Sequence, residues 1–334
     1  MVRDLATVAV VPRERFSLTR RSFETLLDKT EPGVEMIYID GGSPPDVRDY
    51  LESQSAEREF RLIRTEHYLA PNVARNMTLA HVRTKYVVFV DNDAIVSPNW
   101  LAPLVDCAEA TGAWVVGPVY CEREPIATRI HMAGGQARFE MVNGRRIFLE
   151  EHCHYGESLE QIGSSLRRRP VETIEFHCAL VRMDAFERLG PLDERLLSAS
   201  EHTDLCLATR AAGGEVYMEP RSVVTYLPPP PFEPMDLPYF RLRWSHAWNE
   251  ISIERFREKW DLPADDPSLV PLRNWLTSHR QLTLAPYRKV LRTFGRTPAR
   301  FFERTLVGPL EQAANRIRFP IRRYAPDAAL RRAA

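Results

Sequence analysis

The segment Tyr86-Val-Val-Phe-Val90, followed at once by Asp91-Asn92-Asp93, constrains this chain more than any other stretch. An unbroken apolar run suits a central parallel strand covered on both faces. Such a strand requires helices above and below its sheet. The residues before it supply them. Thr7-Val-Ala-Val-Val11, Glu35-Met-Ile-Tyr-Ile39 and Phe60-Arg-Leu-Ile63 read as strands. Residues 17–30, 46–54 and 72–82 read as the helices between them, with apolar side chains at helical spacing. The alternation predicts an α/β, doubly wound, mostly parallel sheet, with ligands at the C-terminal ends of its strands.

Beyond residue 113 the pattern becomes mixed. Trp114-Val-Val-Gly-Pro118 and residues 174–182 read as strands, 184–189 and 204–212 as helices, and 214–226 as a last strand. The turns Gly134-Gly135 and Asn143-Gly144 predict a small β-hairpin insert over 129–150. The prolines from Pro228 to Pro231 mark the clearest boundary. The expected organisation is a catalytic domain over 1–227, with halves 1–112 and 113–227. A Pro-rich linker and a basic helical C-terminal extension follow over 228–334, with helices expected at 239–260 and about 285–321.

Composition limits the function classes. The 334 residues carry 45 Lys plus Arg and 45 Asp plus Glu. The zero net charge excludes a strongly basic nucleic-acid binder, so no nucleic-acid partner is expected. The balance hides two unlike parts. Residues 280–334 hold thirteen Lys plus Arg against three acids, a net +10, whereas residues 1–279 carry −10. No apolar run is long enough for a membrane span. The N-terminus lacks a signal-peptide pattern, and the five cysteines are scattered. A cytoplasmic setting with reduced thiols is expected, and one reading of the basic helices makes it peripheral to the membrane's inner face. The alternative for those helices is packing with arginines in solvent.

Two carboxylates one residue apart at a sheet's C-terminal edge can grip a hard divalent cation, shared with a substrate diphosphate. The same triplet could be an Asp-rich turn capping a helix. The strand before it favours the metal reading. Several further segments stand in an order that resembles the family 2 glycosyltransferases, whose nucleotide-sugar-binding fold is called GT-A. They are Val8-Ala-Val-Val-Pro12, Ile37-Tyr-Ile-Asp-Gly-Gly-Ser43, Ala74-Arg75-Asn76 and Val87-Val-Phe-Val-Asp-Asn-Asp93. Val181-Arg182 to Phe186 with Leu189-Gly190 to Glu194, and Ser200-Glu201-His202-Thr203-Asp204-Leu205, complete the set.

The resemblance covers about residues 6–226 and implies a metal-assisted, inverting transfer of a sugar from a nucleoside-diphosphate donor, UDP-type favoured. The acceptor would be a glycan, lipid-linked or small-molecule hydroxyl. It implies that Pro12, Asp40, Arg75, Asn76 and Asp91 face the donor, Asp40 through the base. Asp91 and Asp93 would hold Mn²⁺ or Mg²⁺. Glu201 and His202 jointly are the candidates for the base; the family has an acidic pair there. Asp204 caps its helix or orients His202, and His177 reaches the acceptor or sits in the core. Gly41 stands where many relatives have Asp, and Tyr226 where they often have a metal-side His. His246 is the candidate to replace that His. A non-catalytic sugar-nucleotide-binding protein and a sugar nucleotidyltransferase are the alternatives, although the latter's Gly-rich loop is missing after Pro12.

One rival cluster is Glu150-Glu151-His152-Cys153-His154. On a strand at most His152 and His154 share a face, and no second pair completes a zinc site. A solvated loop is expected there.

Overall fold

The computed structural model describes residues 1–320. The basic stretch beyond 320, including the end of the expected last helix, lies outside the described residues. Two compact units are present: Met1–Asp193 with Glu201–Pro228, and Glu194–Ser200 with the chain from Pro229 onward. The short segment Glu194–Ser200 thus groups with the C-terminal extension rather than with the chain on either side of it.

The first unit opens with a short helix α1 (Val2–Leu5), then β1 (Ala6–Val11), α2 (Thr19–Lys29), β2 (Glu35–Gly41) and α3 (Pro45–Glu57). β3 (Arg61–Thr65), α4 (Pro71–Leu79), β4 (Tyr86–Asp91), β5 (Ala94–Val96) and α5 (Leu101–Thr111) follow. Then come β6 (Val115–Glu122), β7 (Arg129–Met132), β8 (Gly135–Val142), β9 (Arg145–His152), the single turn α6 (Leu159–Ile162) and β10 (Arg169–Pro170). The unit closes with β11 (Cys178–Arg182), α7 (Ala185–Leu189), α8 (Glu201–Ala211) and β12 (Val216–Tyr226).

The main sheet runs β10-β12-β6-β11-β4-β1-β2-β3. β4, β1, β2 and β3 form a parallel block, and β12 and β6 a second one. β11 lies antiparallel between the two blocks. Every residue of β1 and β4 is buried, as the apolar runs require. The hairpin insert exists, with a different division from the expected one. β7 joins the main sheet beside β6, while β8 and β9 form their own two-stranded sheet. Asn143 and Gly144 turn it with positive φ at both positions, the geometry a two-residue hairpin needs. The strand expected over 174–182 forms only from Cys178, because Gly135 takes Thr173 in an isolated bridge first.

The second unit is helical. It contains α9 (Leu237–Arg243), α10 (His246–Lys259), α11 (Leu269–Gln281), α12 (Ala285–Phe294), α13 (Arg296–Phe302) and α14 (Gly308–Arg318). The single helix expected over 239–260 is broken at Ser245, whose hydroxyl accepts from the Trp248 N–H and starts α10. Phe240, Trp244, Ile253, Leu269 and Leu276 pack together there, with Ala199 from the short segment. The Leu197 and Ser198 N–H groups both donate to Ser252 Oγ. Arg280 is clamped by Glu303 and Glu311. No helix among the described residues is long and apolar enough to cross a membrane.

Gly112 ends α5 with φ 74°, and its N–H donates to the Ala108 carbonyl. A Cβ there meets no atom within 4 Å, so only backbone strain opposes substitution. Gly112→Ala is therefore expected to destabilise the first unit by about 1 kcal/mol, and Gly112→Asn by less. Urea unfolding followed by far-UV circular dichroism checks the order.

Candidate active site

β4 delivers Asp91 to the C-terminal edge of the sheet, directly beside Val11 at the end of β1. That edge is cross-braced by Asn92. Its N–H donates to the Val11 carbonyl, its Oδ1 accepts from the Arg13 N–H at 2.8 Å, and its amide donates to Thr19. The middle residue of the triplet is therefore structural. It turns Arg13 onto Asp91, with Nε 3.4 Å from Oδ2.

Arg75 and His177 converge on the same carboxylate. Arg75, fully buried on α4, donates from one end of its guanidinium to Asp91 at 3.2 Å and from the other to Asn72. Its plane lies 3.9 Å from the Phe176 ring, so it is a packed bridge and not a surface arginine. His177 reaches Asp91 because β11 pairs with β4. The Asp91 N–H donates to the His177 carbonyl, and Nδ1 lies 3.1 Å from Oδ2. Burial opposes ionisation of Asp91, but Arg13, His177 and Arg75 outweigh it and hold it below its ordinary value. Burial and Arg13 together push His177 down, against the pull of Asp91. His177 also stacks on Tyr226, with ring centroids 4.0 Å apart, and the Tyr226 hydroxyl donates to Glu14.

Asp93 differs from Asp91 in every respect except burial. Both its oxygens are buried, and neither has a hydrogen-bond partner. Burial, then the charges of Asp91 and Glu14, push it well above the usual carboxylate range. A buried carboxylate left unpaired costs several kcal/mol when ionised, on the order of the desolvation penalty of one ion. An orphaned pair of buried carboxylate oxygens therefore fits a divalent cation. β5 pairing with β12 sets Ala94 opposite Tyr226, so Tyr226 stands at this edge as expected, but as a stacking and hydrogen-bonding residue.

The remaining donor-side residues are dispersed around this centre. Asp40, at the end of β2, accepts from the Ser43 N–H and hydroxyl and from Arg64. Gly41 has a packing cause: a Cβ would lie 3.1 Å from the Pro12 ring and 3.3 Å from the Leu69 nitrogen. The Asn76 amide exchanges two hydrogen bonds of 2.9 Å with the Leu192 backbone, a structural tie. Glu201 and His202 open α8, which starts three residues earlier than expected and carries Asp204 buried in the same turn. Glu201 adds to the negative field that keeps Arg13 charged. His246 belongs to the second unit, exposed at the start of α10.

His202 lies between two carboxylates. Nε2 is 3.4 Å from Glu150 Oε1, and Nδ1 is 3.5 Å from Glu175 Oε2. Burial works against its charge, yet Glu175 and Glu150 raise its pKa. The expectation of a solvated loop around Glu150 and His152 fails for these two side chains. β9 extends through His152 and turns Glu150 and His152 toward the first turn of α8 and Glu175. Arg13, Glu14, His131 and Glu175 were not visible as site residues in the sequence. Arg13 and Glu14 sit in a segment read there only for its lack of glycine. His131 and Glu175 carry no local motif, and only the register of β7 and the bridge at Thr173 bring them in.

If Asp91 is the pivot, removing a cation from it is costly. Arg75→Ala is expected to destabilise by about 3 kcal/mol, the low end for a broken buried pair because Arg13 and His177 remain. Arg75→Lys, which keeps charge without the fork, should cost less. Guanidinium-chloride unfolding of both variants checks this.

Residues 7–190 match the family profile Glycosyl transferase family 2. The chain is 24% identical over 221 residues to the succinoglycan biosynthesis protein ExoM of Rhizobium meliloti. That match covers 65% of this chain and 64% of ExoM, so the chain spans less than two thirds of this curated relative. Among solved structures, S. aureus TarS 1-349 in complex with UDP-GlcNAc superposes with a TM-score of 0.52 at 12% identity, covering 97% of this chain and 82% of that one. GalNAc-T7 with UDP, GalNAc and Mn²⁺ superposes with a TM-score of 0.51 at 16% identity, covering 83% and 58%. At these identities the structures speak for the fold, which is that of nucleotide-sugar glycosyltransferases. The profile match extends over more than half of the chain: it belongs to glycosyl transferase family 2.

Proposed function

We propose that the chain transfers a sugar from a nucleoside-diphosphate donor to a hydroxyl acceptor with inversion, assisted by a divalent cation. The observation that carries this is Asp93, a buried carboxylate with both oxygens unpartnered next to a charge-satisfied Asp91. Asp93 would hold Mn²⁺ or Mg²⁺, with Asp91 keeping the adjoining edge fixed. A cation bound there would cancel charge that builds on the departing diphosphate. The solved neighbours with UDP, one of them with Mn²⁺, favour a UDP-type donor.

This chain's own residues do the rest. Arg13 is buried at this edge between Asp91 and Glu14, and its charge is enforced by Asp91, Glu14 and Glu201. Glu201 is the better base of the pair. His202 lies between Glu150 and Glu175, which favour its protonated form, and an imidazolium cannot accept a proton. Glu201 takes the acceptor's proton, the acceptor oxygen bonds to the anomeric carbon, and the electron pair of the breaking bond leaves on the diphosphate oxygen. His202 positions the acceptor side, with Asp204 supporting the turn.

The second unit offers a surface for the setting of this chemistry. Lys289, Arg292, Arg296, Arg300 and Arg304 are exposed, as are Phe294, Phe301, Leu306 and Leu310. Exposed cations interleaved with exposed apolar groups suit the cytoplasmic face of an anionic membrane. A lipid-linked acceptor would be met there.

Two experiments test this reading. In the first, a panel of nucleotide sugars with Mn²⁺ or Mg²⁺ is scored for nucleoside-diphosphate release. UDP release that depends on the cation is expected. Asp93→Asn should lower it by about 10²–10³-fold. Glu201→Gln should lower it by about 10²–10⁴-fold with donor affinity retained. Donor binding without release by the wild type would sink the transferase reading. In the second, the full chain is floated with vesicles. It should rise with anionic vesicles, stay down with neutral ones, and lose flotation in R292E/R296E/R300E; equal recovery on both lipids removes the membrane contact.

A further inference from the structure

β6, β7, β9 and the segment before β11 bring imidazoles and carboxylates into one cluster beside His177. His131 stands on β7, whose pairing with β6 puts it beside Glu122. His152 ends β9 opposite Gly135, and Gly135 also bridges Thr173, two residues before Glu175. Gly135 makes this possible. A Cβ there would lie 2.5 Å from Met132 Cε, 2.7 Å from the Glu151 carbonyl and 2.8 Å from Thr173 Cγ2. With hydrogen in that place, the β9 end and the 173–175 segment close on one another.

The result is a three-point donor set. His131 Nε2 lies 3.7 Å and His152 Nε2 3.5 Å from the same oxygen, Oε1 of Glu175. One donor atom from each residue lies within 4.8 Å of the other two. Ligands 2.0–2.1 Å from a tetrahedral ion are separated by about 3.3 Å, so only a small contraction is needed. The outer partners are in place as well. The other nitrogen of His131 faces Glu122 Oε2 at 3.4 Å, the carboxylate partner that orients metal-bound imidazoles. The other oxygen of Glu175 faces His202 Nδ1 at 3.5 Å.

We propose that His131, His152 and Glu175 form a second metal site, for a borderline divalent ion of the zinc class, separate from the cation at Asp93. Two imidazoles with one carboxylate select such an ion over Mg²⁺, which prefers an all-oxygen, largely hydrated shell. Three protein ligands leave a fourth position for solvent. Glu175, through its two oxygens, links the ion to His202 at the start of α8. The ion ties β7, the β8–β9 hairpin and the chain before β11 at one point. The inference does not rest on the glycosyltransferase reading, because its ligands and its test do not involve donor turnover.

The test uses the full chain, stripped with chelator and dialysed into excess Mg²⁺, so that an oxygen-ligand site is not open to Zn²⁺. Calorimetric titration with Zn²⁺ should show one tight equivalent. His131→Ala and His152→Ala should each weaken it by at least about 10–100-fold, the scale of a lost ligand or its support. Asp93→Asn should retain it. Unchanged Zn²⁺ affinity in both histidine variants would overturn the site. Should either variant fail to fold by circular dichroism, Zn-edge X-ray absorption of the wild type decides. A shell of nitrogen and oxygen at about 2.0–2.1 Å, with imidazole scattering and no sulfur, is expected. A sulfur shell, or absence of a stoichiometric ion, overturns the proposal.

Discussion

The charge on Asp91 is what the rest of this site is arranged around. A carboxylate at the end of a fully buried strand cannot remain ionised without partners. Here three segments supply them: the turn after β1 supplies Arg13, α4 supplies Arg75, and the stretch just before β11 supplies His177. Each partner is in turn fixed by something else. Asn92 turns Arg13, Asn72 and Phe176 hold Arg75, and Tyr226 stacks on His177. The interaction therefore joins the parallel block β4-β1-β2-β3 to the antiparallel β11 in chemistry as well as in hydrogen bonding. Asp93, two residues on, receives no hydrogen bond, so one motif joins a satisfied carboxylate to an unsatisfied one.

The N-terminal half of the fold was legible because its elements are local. Apolar runs and helical spacing give β1, β2, β4 and the helices between them, and the ends shift by only a few residues. The mixed half was less legible because its pairings are long-range. Nothing near residue 178 states that its strand will run antiparallel between β4 and β6. The break at Ser245 is a local capping event that a continuous helical pattern conceals.

The site was legible where side chains follow a strand end, as at Asp91 and Asp93. It was illegible where distant residues converge. His131, His152 and Glu175 lie on three elements, and a reading confined to the stretch around His152 could find no second pair. The substitution of Gly at position 41 looked like a loss of function-bearing chemistry. In the fold, Pro12 and Leu69 occupy the space that a side chain would take. His202, a candidate base together with Glu201, lies between the carboxylates of Glu150 and Glu175, which no local motif foretold.

Of the chain's 45 basic residues only four are lysines. At Asp91 this bias has a physical meaning. Guanidinium groups do not release protons in any range where a protein stays folded. Arg13 and Arg75 therefore provide a charge background that acidity cannot switch. Sensitivity to acidity enters through their neighbours, His177, pushed down by burial and Arg13, and Asp93, pushed up by burial and Asp91. One edge of the sheet thus holds a constant and a variable in the same electrostatic field.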